Sequence, residues 1–175
     1  MSMLRRLALI AAALVTTPAF AQPPQFGQPI APADLAPWDM SIGPDGVGLP
    51  PGRGTAAQGE AVYIVQCHAC HGEKGVGRPN DALVGGIGSL APGSVPVKTV
   101  GSYWPYATTL FDYVRRAMPF QESQSLTSDE LYAVSAYLLH LNGIIGRDDV
   151  LDAQSLPKVR MPNRDGFVLF PRNPK

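Results

Sequence analysis

The chain has 175 residues and carries 14 basic and 14 acidic side chains, so its formal net charge is zero. That length is one domain's worth with extensions, and no basic stripe is present to grip a phosphate backbone, which argues against nucleic acid as a partner. Eighteen glycines and eighteen prolines are too many for long regular elements, so a small core with much of the chain in ordered loops is expected.

Residues 1–21 read as a secretory signal peptide. In "MSMLRRLALIAAALVTTPAFAQ" two arginines, Arg5 and Arg6, precede an apolar run from Leu7 to Val15, and a small-x-small site follows at Ala19-Phe20-Ala21. The run is too short to hold the chain in a bilayer as an anchor. Cleavage near Ala21 predicts a slightly acidic mature chain that begins at Gln22, with no later membrane span, and places it in the periplasm.

Residues 22–53 form a Pro- and Gly-rich arm of linker character. It nevertheless carries Phe26, Ile30, Leu35, Trp38 and Ile42, more apolar side chains than a solvated linker needs. Such an arm either wraps its own domain or lies on a partner.

The next segment, "TAAQGEAVYIVQ", opens on Thr55 with Gln58 three residues later. This capping-box pattern predicts a helix running into "VQCHACHGEKG". Cys67 and Cys70 could form a disulfide in an exported protein, but so short a loop gives little chain-entropy stabilisation. A thioredoxin-like site wants a βαβ context, and zinc wants further ligands where only His68 and His140 remain. Cys-x-x-Cys-His is the attachment signature of c-type haem. Cys67 and Cys70 supply thioethers to the ring edge, and His71 supplies the proximal nitrogen. One such motif implies one covalent haem c. His68, a variable position of the motif, is expected near the exposed haem edge.

A six-coordinate haem iron takes a second axial ligand, and methionine raises its potential. Met118 in "LFDYVRRAMPF" follows a helical run that Pro119 stops, so its thioether is presented from a fixed loop. The competing reading is a core methionine at a helix end. Met161, His140 and Met40 are the other candidate ligands. Tyr103, Trp104 and Tyr106 are expected around the haem, with the Trp104 indole N–H able to donate to a propionate. Arg115 and Arg116 either neutralise propionates, form part of a docking face or lie on a solvated helix surface.

"TSDELYAVSAYLLHLNG" repeats the capping device with Thr127 and Glu130 and stops at Gly143. Leu131, Val134, Leu138 and Leu141 share one helical face, with Tyr137 beside them. Gly59 and Tyr63 lie one turn apart on the first helix. The glycine allows a second backbone to approach, and the tyrosine can pack over the crossing. The tail, residues 144–175, is a second arm with apolar residues of its own.

These features resemble class I cytochromes c, in which an N-terminal helix with a glycine and an aromatic crosses a C-terminal helix with an apolar residue and a tyrosine. Gly59, Tyr63, Val134 and Tyr137 match those places. The resemblance implies a mostly α fold, a small helical bundle around one haem over residues 54–143, flanked by the two arms. It also implies a backbone carbonyl accepting from the proximal histidine's other nitrogen. Pro79 is one candidate, while Leu83 would put Asp81 at that place.

"VKTVGSYWPYATTLFDYVRRAMPF", "DALVGGIGSL" and "LPKVRMPNRDGF" are similar to the cytochrome c subunit of periplasmic sulfane dehydrogenase of the Sox thiosulfate-oxidation pathway, from about Trp38 to Phe167. That resemblance implies a molybdenum-cofactor partner that performs the sulfur chemistry, and a downstream c-type cytochrome or oxidase. It favours the arms lying on that partner. The alternatives are a free-standing electron carrier and a haem enzyme or gas sensor with an open iron.

Overall fold

Two of the three long helices begin where a side chain closes their open amides. In the computed structural model, which describes residues 26–168, α2 (Ala56–Gln66) starts at Thr55 and α6 (Ser128–Leu141) at Thr127. Thr55 Oγ1 accepts from Gln58 N at 3.3 Å, and Gln58 Oε1 accepts from Thr55 N at 2.9 Å. Thr127 and Glu130 make the same pair of bonds at 3.3 and 2.8 Å. Such a cap contributes on the order of 1 kcal/mol. α6 ends at Asn142, and Gly143 follows at φ +69°, a conformation that costs glycine little.

The chain divides into two units, residues 1–38 and 39–175. Among its described residues the first contains a single helical turn, α1 (Pro32–Leu35). Residues 1–21, read as a signal peptide, lie outside the described residues.

The second unit is built on the crossing of α2 and α6. A Cβ on Gly59 would overlap the carbonyl of Ala133 and lie 2.9 Å from Tyr137 Cβ. No side chain fits there, so the backbones meet directly. Beside the crossing, the rings of Tyr63 and Tyr137 pack 5.3 Å apart. α3 (His68–His71) follows α2 as one turn, and α4 (Val100–Tyr103) is capped by Thr99 and Ser102. α5 (Ala107–Ala117) buries Leu110, Phe111 and Val114, with Phe111 4.6 Å from Tyr132 of α6. This is a mostly helical cytochrome c-like bundle. One small antiparallel sheet closes it, β1 (Arg53–Thr55) on β2 (Val150–Asp152), with Gly54 opposite Leu151.

From residue 39 onward parts of both arms pack on their own domain. Ile42 is buried and its N–H donates to Asp112 Oδ1 at 3.2 Å. Tyr132 Oη donates to Pro50 O at 2.9 Å, and Asp129 Oδ1 accepts from Arg53 N at 2.8 Å. In the tail, Leu151, Leu156 and Met161 are all buried. The physical reason is that apolar side chains in non-periodic sequence can still fill the flanks of a small bundle that three helices leave open.

Candidate functional site

A cavity of about 370 Å3 opens between α3, α5, α6 and the loop before α4, within the size range of cofactor sites. Cys67, Cys70 and His71 form one wall, and Met118 with Pro119 and Phe120 another. Leu83, Val100, Leu110, Val114, Val134 and Leu138 supply apolar surface between them. Helix spacing explains the last four. Leu110 and Val114 are one turn apart on α5, as are Val134 and Leu138 on α6, so each pair faces one direction.

Local geometry holds the motif. Cys67 ends α2, and its N–H donates to Tyr63 O. Cys70 and His71 then sit on α3, whose turn is closed by amides donating to Cys67 O at 3.1 and 2.9 Å. The loop behind it returns to the motif, with Gly77 N donating to His71 O and Asn80 N to Cys70 O. Tyr63 Oη donates to Gly72 O at 2.8 Å. Burial, and secondarily Cys67, pushes that hydroxyl up to about 12, so it remains a donor. The two cysteines are not joined to each other in a disulfide. Burial first, then Cys70, pushes the Cys67 thiol up to about 11, which opposes the thiolate a redox dithiol needs.

His71 Nδ1 lies 2.9 Å from Asp81 O. With Nδ1 donating there, Nε2 is the ring nitrogen left to the cavity that His71 lines. The carbonyl is that of Asp81, the residue placed by Leu83, and not that of Pro79.

Met118 caps α5 in extended conformation (φ −128°, ψ 144°), and its N–H donates to Val114 O. Among the described methionines it is the one lining the cavity. Met161 is buried in the core, 1 % exposed. Met40 gives its carbonyl to Arg115 Nη1 at 3.4 Å, and His140 Nδ1 pairs with Ile145 O at 3.2 Å.

The aromatic residues divide. Trp104 lines the cavity and meets Tyr113 edge to face at 5.5 Å. Tyr103 packs on Phe167 at 5.2 Å, and Tyr106 lies under the guanidinium of Arg164 at 4.1 Å. Both are occupied by the tail and are not among the lining residues. Arg115, bonded to Met40, is likewise outside the lining, and Arg116 pairs with Asp112. His68 is exposed. Lys98, which sequence reasoning passed over, lines the cavity and stands 5.0 Å from the Tyr103 ring centroid. No motif marks it, since its loop is brought to the site by the fold alone.

The residues fit a haem c. Two thiols, an imidazole with one nitrogen free and a thioether face one apolar space. Among the described residues no cluster of three or more His, Cys, Asp or Glu could hold a bare metal ion.

Comparison with known proteins agrees with this geometry. Residues 54–138 match the family model of cytochrome c oxidase, cbb3-type, subunit III. Comparison with curated proteins gives no match. Among solved structures, the chain is similar to one from the sulfane dehydrogenase SoxCD of Paracoccus pantotrophus. Identity is 42 %, the TM-score is 0.76, and the match covers 84 % of this chain and 71 % of that one. With the motif, the helix crossing and that degree of likeness, the chain belongs to the c-type cytochromes of class I fold, as a relative of the cytochrome in SoxCD.

Proposed function

We propose that this protein is a periplasmic monohaem cytochrome that takes electrons from a molybdenum-cofactor dehydrogenase acting on sulfur compounds, sulfane or sulfite, and passes them to a downstream cytochrome or oxidase. The observation that carries the electron-transfer part is the placement of Cys67, Cys70, His71 and Met118 around one apolar cavity. The likeness to a sulfane dehydrogenase chain supports the choice of partner.

In this reading Cys67 and Cys70 would hold the haem through thioethers, while His71 and Met118 would supply a nitrogen and a sulfur to its iron. When bound, the haem supplies one-electron cycling of its iron. The Asp81 carbonyl orients the imidazole and raises its basicity. Leu83, Leu110, Val114, Val134 and Leu138 would exclude water from a bound haem, and with both His71 and Met118 holding it no open position would remain for a substrate. That favours electron transfer over haem catalysis or gas sensing. Phe120, 79 % exposed at the cavity wall, belongs to the edge through which electrons leave.

The test is intact mass and reduction. The exported protein should have the mass of a chain starting at Gln22 plus one haem, and acid acetone should not extract the haem. A molybdenum-cofactor dehydrogenase given its sulfur substrate should reduce it. No reduction by the substrate-loaded dehydrogenase, with rapid reduction by a different periplasmic reductase, would support the free-standing carrier instead.

A further inference from the structure

α6 does more than cross α2. Its C-cap, Asn142, is 7 % exposed and spends its side chain on the segment that follows Asp81. Asn142 Nδ2 donates to Leu83 O at 3.2 Å and to Leu138 O at 2.8 Å, and Oδ1 accepts from Gly85 N at 3.1 Å. α4 presses on the same amide, because a Cβ on Gly101 would lie 2.9 Å from Asn142 Cβ and overlap its terminal atoms. Leu83 is also tied to the haem-motif side, its N–H donating to Gly75 O at 2.8 Å. The stretch that presents the Asp81 carbonyl to His71 Nδ1 is therefore held by Gly75, by Val100 N, which donates to Leu83 O at 3.3 Å, and by the side chain of Asn142.

We infer that Asn142 is a positioning residue for His71, fixing the Asp81 carbonyl and through it the orientation and basicity of the proximal imidazole. The inference rests on the reading of His71 as iron ligand. Only an amide fits the role. Its Nδ2 adds a second donor to the Leu83 and Leu138 carbonyls, which Val100 N and Asn142 N also reach at 3.3 Å, while its Oδ1 takes the Gly85 N–H, and neither a carboxylate nor an apolar side chain offers both roles. Releasing the loop weakens the Nδ1–H···O bond, lowers the basicity of the ligand and disfavours the ferric state.

The experiment compares the wild-type holoprotein with Asn142→Asp and Asn142→Ser, using Tyr132→Phe as a destabilising control that removes the distant bond to Pro50 O. The expected result is an upward shift of midpoint potential and faster exchange of the His71 Nδ1 proton in the Asn142 variants, with neither change in Tyr132→Phe. In the wild type the Gly85 amide should exchange as slowly as the core amides of α6, a readout that needs no variant. Gly85 exchange by easy local opening, or Asn142 variants that lose stability with potential and Nδ1 exchange unmoved, would overturn the inference. A ferric spectrum with no hyperfine-shifted histidine ring protons would instead sink the ligand reading on which it rests.

Discussion

At the scale of single residues, two side chains separate function from packing. Met118 is presented by a helix end and lines the cavity. Met118→Ala should leave the haem attached, abolish the weak near-infrared sulfur-to-iron band of the ferric form and lower the potential. An unchanged band in that variant, with loss in Met161→Ala, would reassign the ligand. Gly59 is purely structural. Gly59→Ala would drive a methyl into the Ala133 carbonyl, and overpacking of this kind costs about 3 kcal/mol, measured as a fall in denaturant midpoint. The haem motif was legible in the sequence because thioether attachment and histidine ligation need residues only three and four positions apart. Of the three aromatic residues expected beside it, Trp104 lines the cavity and two do not. Tyr103 and Tyr106 have the composition of cofactor-packing groups, yet the tail uses them, and nothing local distinguishes the two uses.

At the scale of elements, the capping boxes made both crossing helices readable to within a residue, since the device is local. The box at Thr99 was missed because Ser102 takes the place where glutamate or glutamine usually signals it. β1 and β2 have three residues each, too short for an alternating pattern, and they pair across nearly the whole domain. One box also predicts a pH effect. The hydroxyl and then the amide of Thr127 hold the Glu130 carboxyl below its ordinary range. A lowered folded-state value means stability that is present above about pH 4.3, the unfolded value, and is lost as pH falls through the folded one. Glu130→Gln should therefore flatten the acid limb of the stability profile by lowering stability slightly at neutral pH while leaving it close to wild type in acid. An identical acid limb in the variant would show that other carboxylates dominate.

For the whole molecule, the division at residue 38 bears on the choice between subunit and carrier. Ile42 and Leu49 of residues 39–53 pack on their own domain, so most of the exposed apolar residues of this arm, Phe26, Ile30, Leu35 and Trp38, lie in the first unit. Removing residues 22–38 should leave the haem spectrum and unfolding midpoint unchanged but weaken co-elution with a molybdenum-cofactor dehydrogenase at moderate salt. Extending the deletion through Pro51 removes Ile42 and the Pro50 acceptor of Tyr132 and should also lower stability by a few kcal/mol. If the shorter deletion co-elutes as well as the full chain, the strap is not what binds.

The pairing of β1 with β2 also sets an order in time. Leu151, Leu156 and Met161 complete the core, so a chain emerging from its N-terminus cannot close the bundle until those late residues arrive. Cys67 and Cys70 emerge long before, and the thiols stay open to enzymatic attachment while the fold is incomplete. Chains ending at Gly143 should accordingly acquire haem yet remain protease-sensitive, and failure of such chains to acquire haem would place attachment after closure.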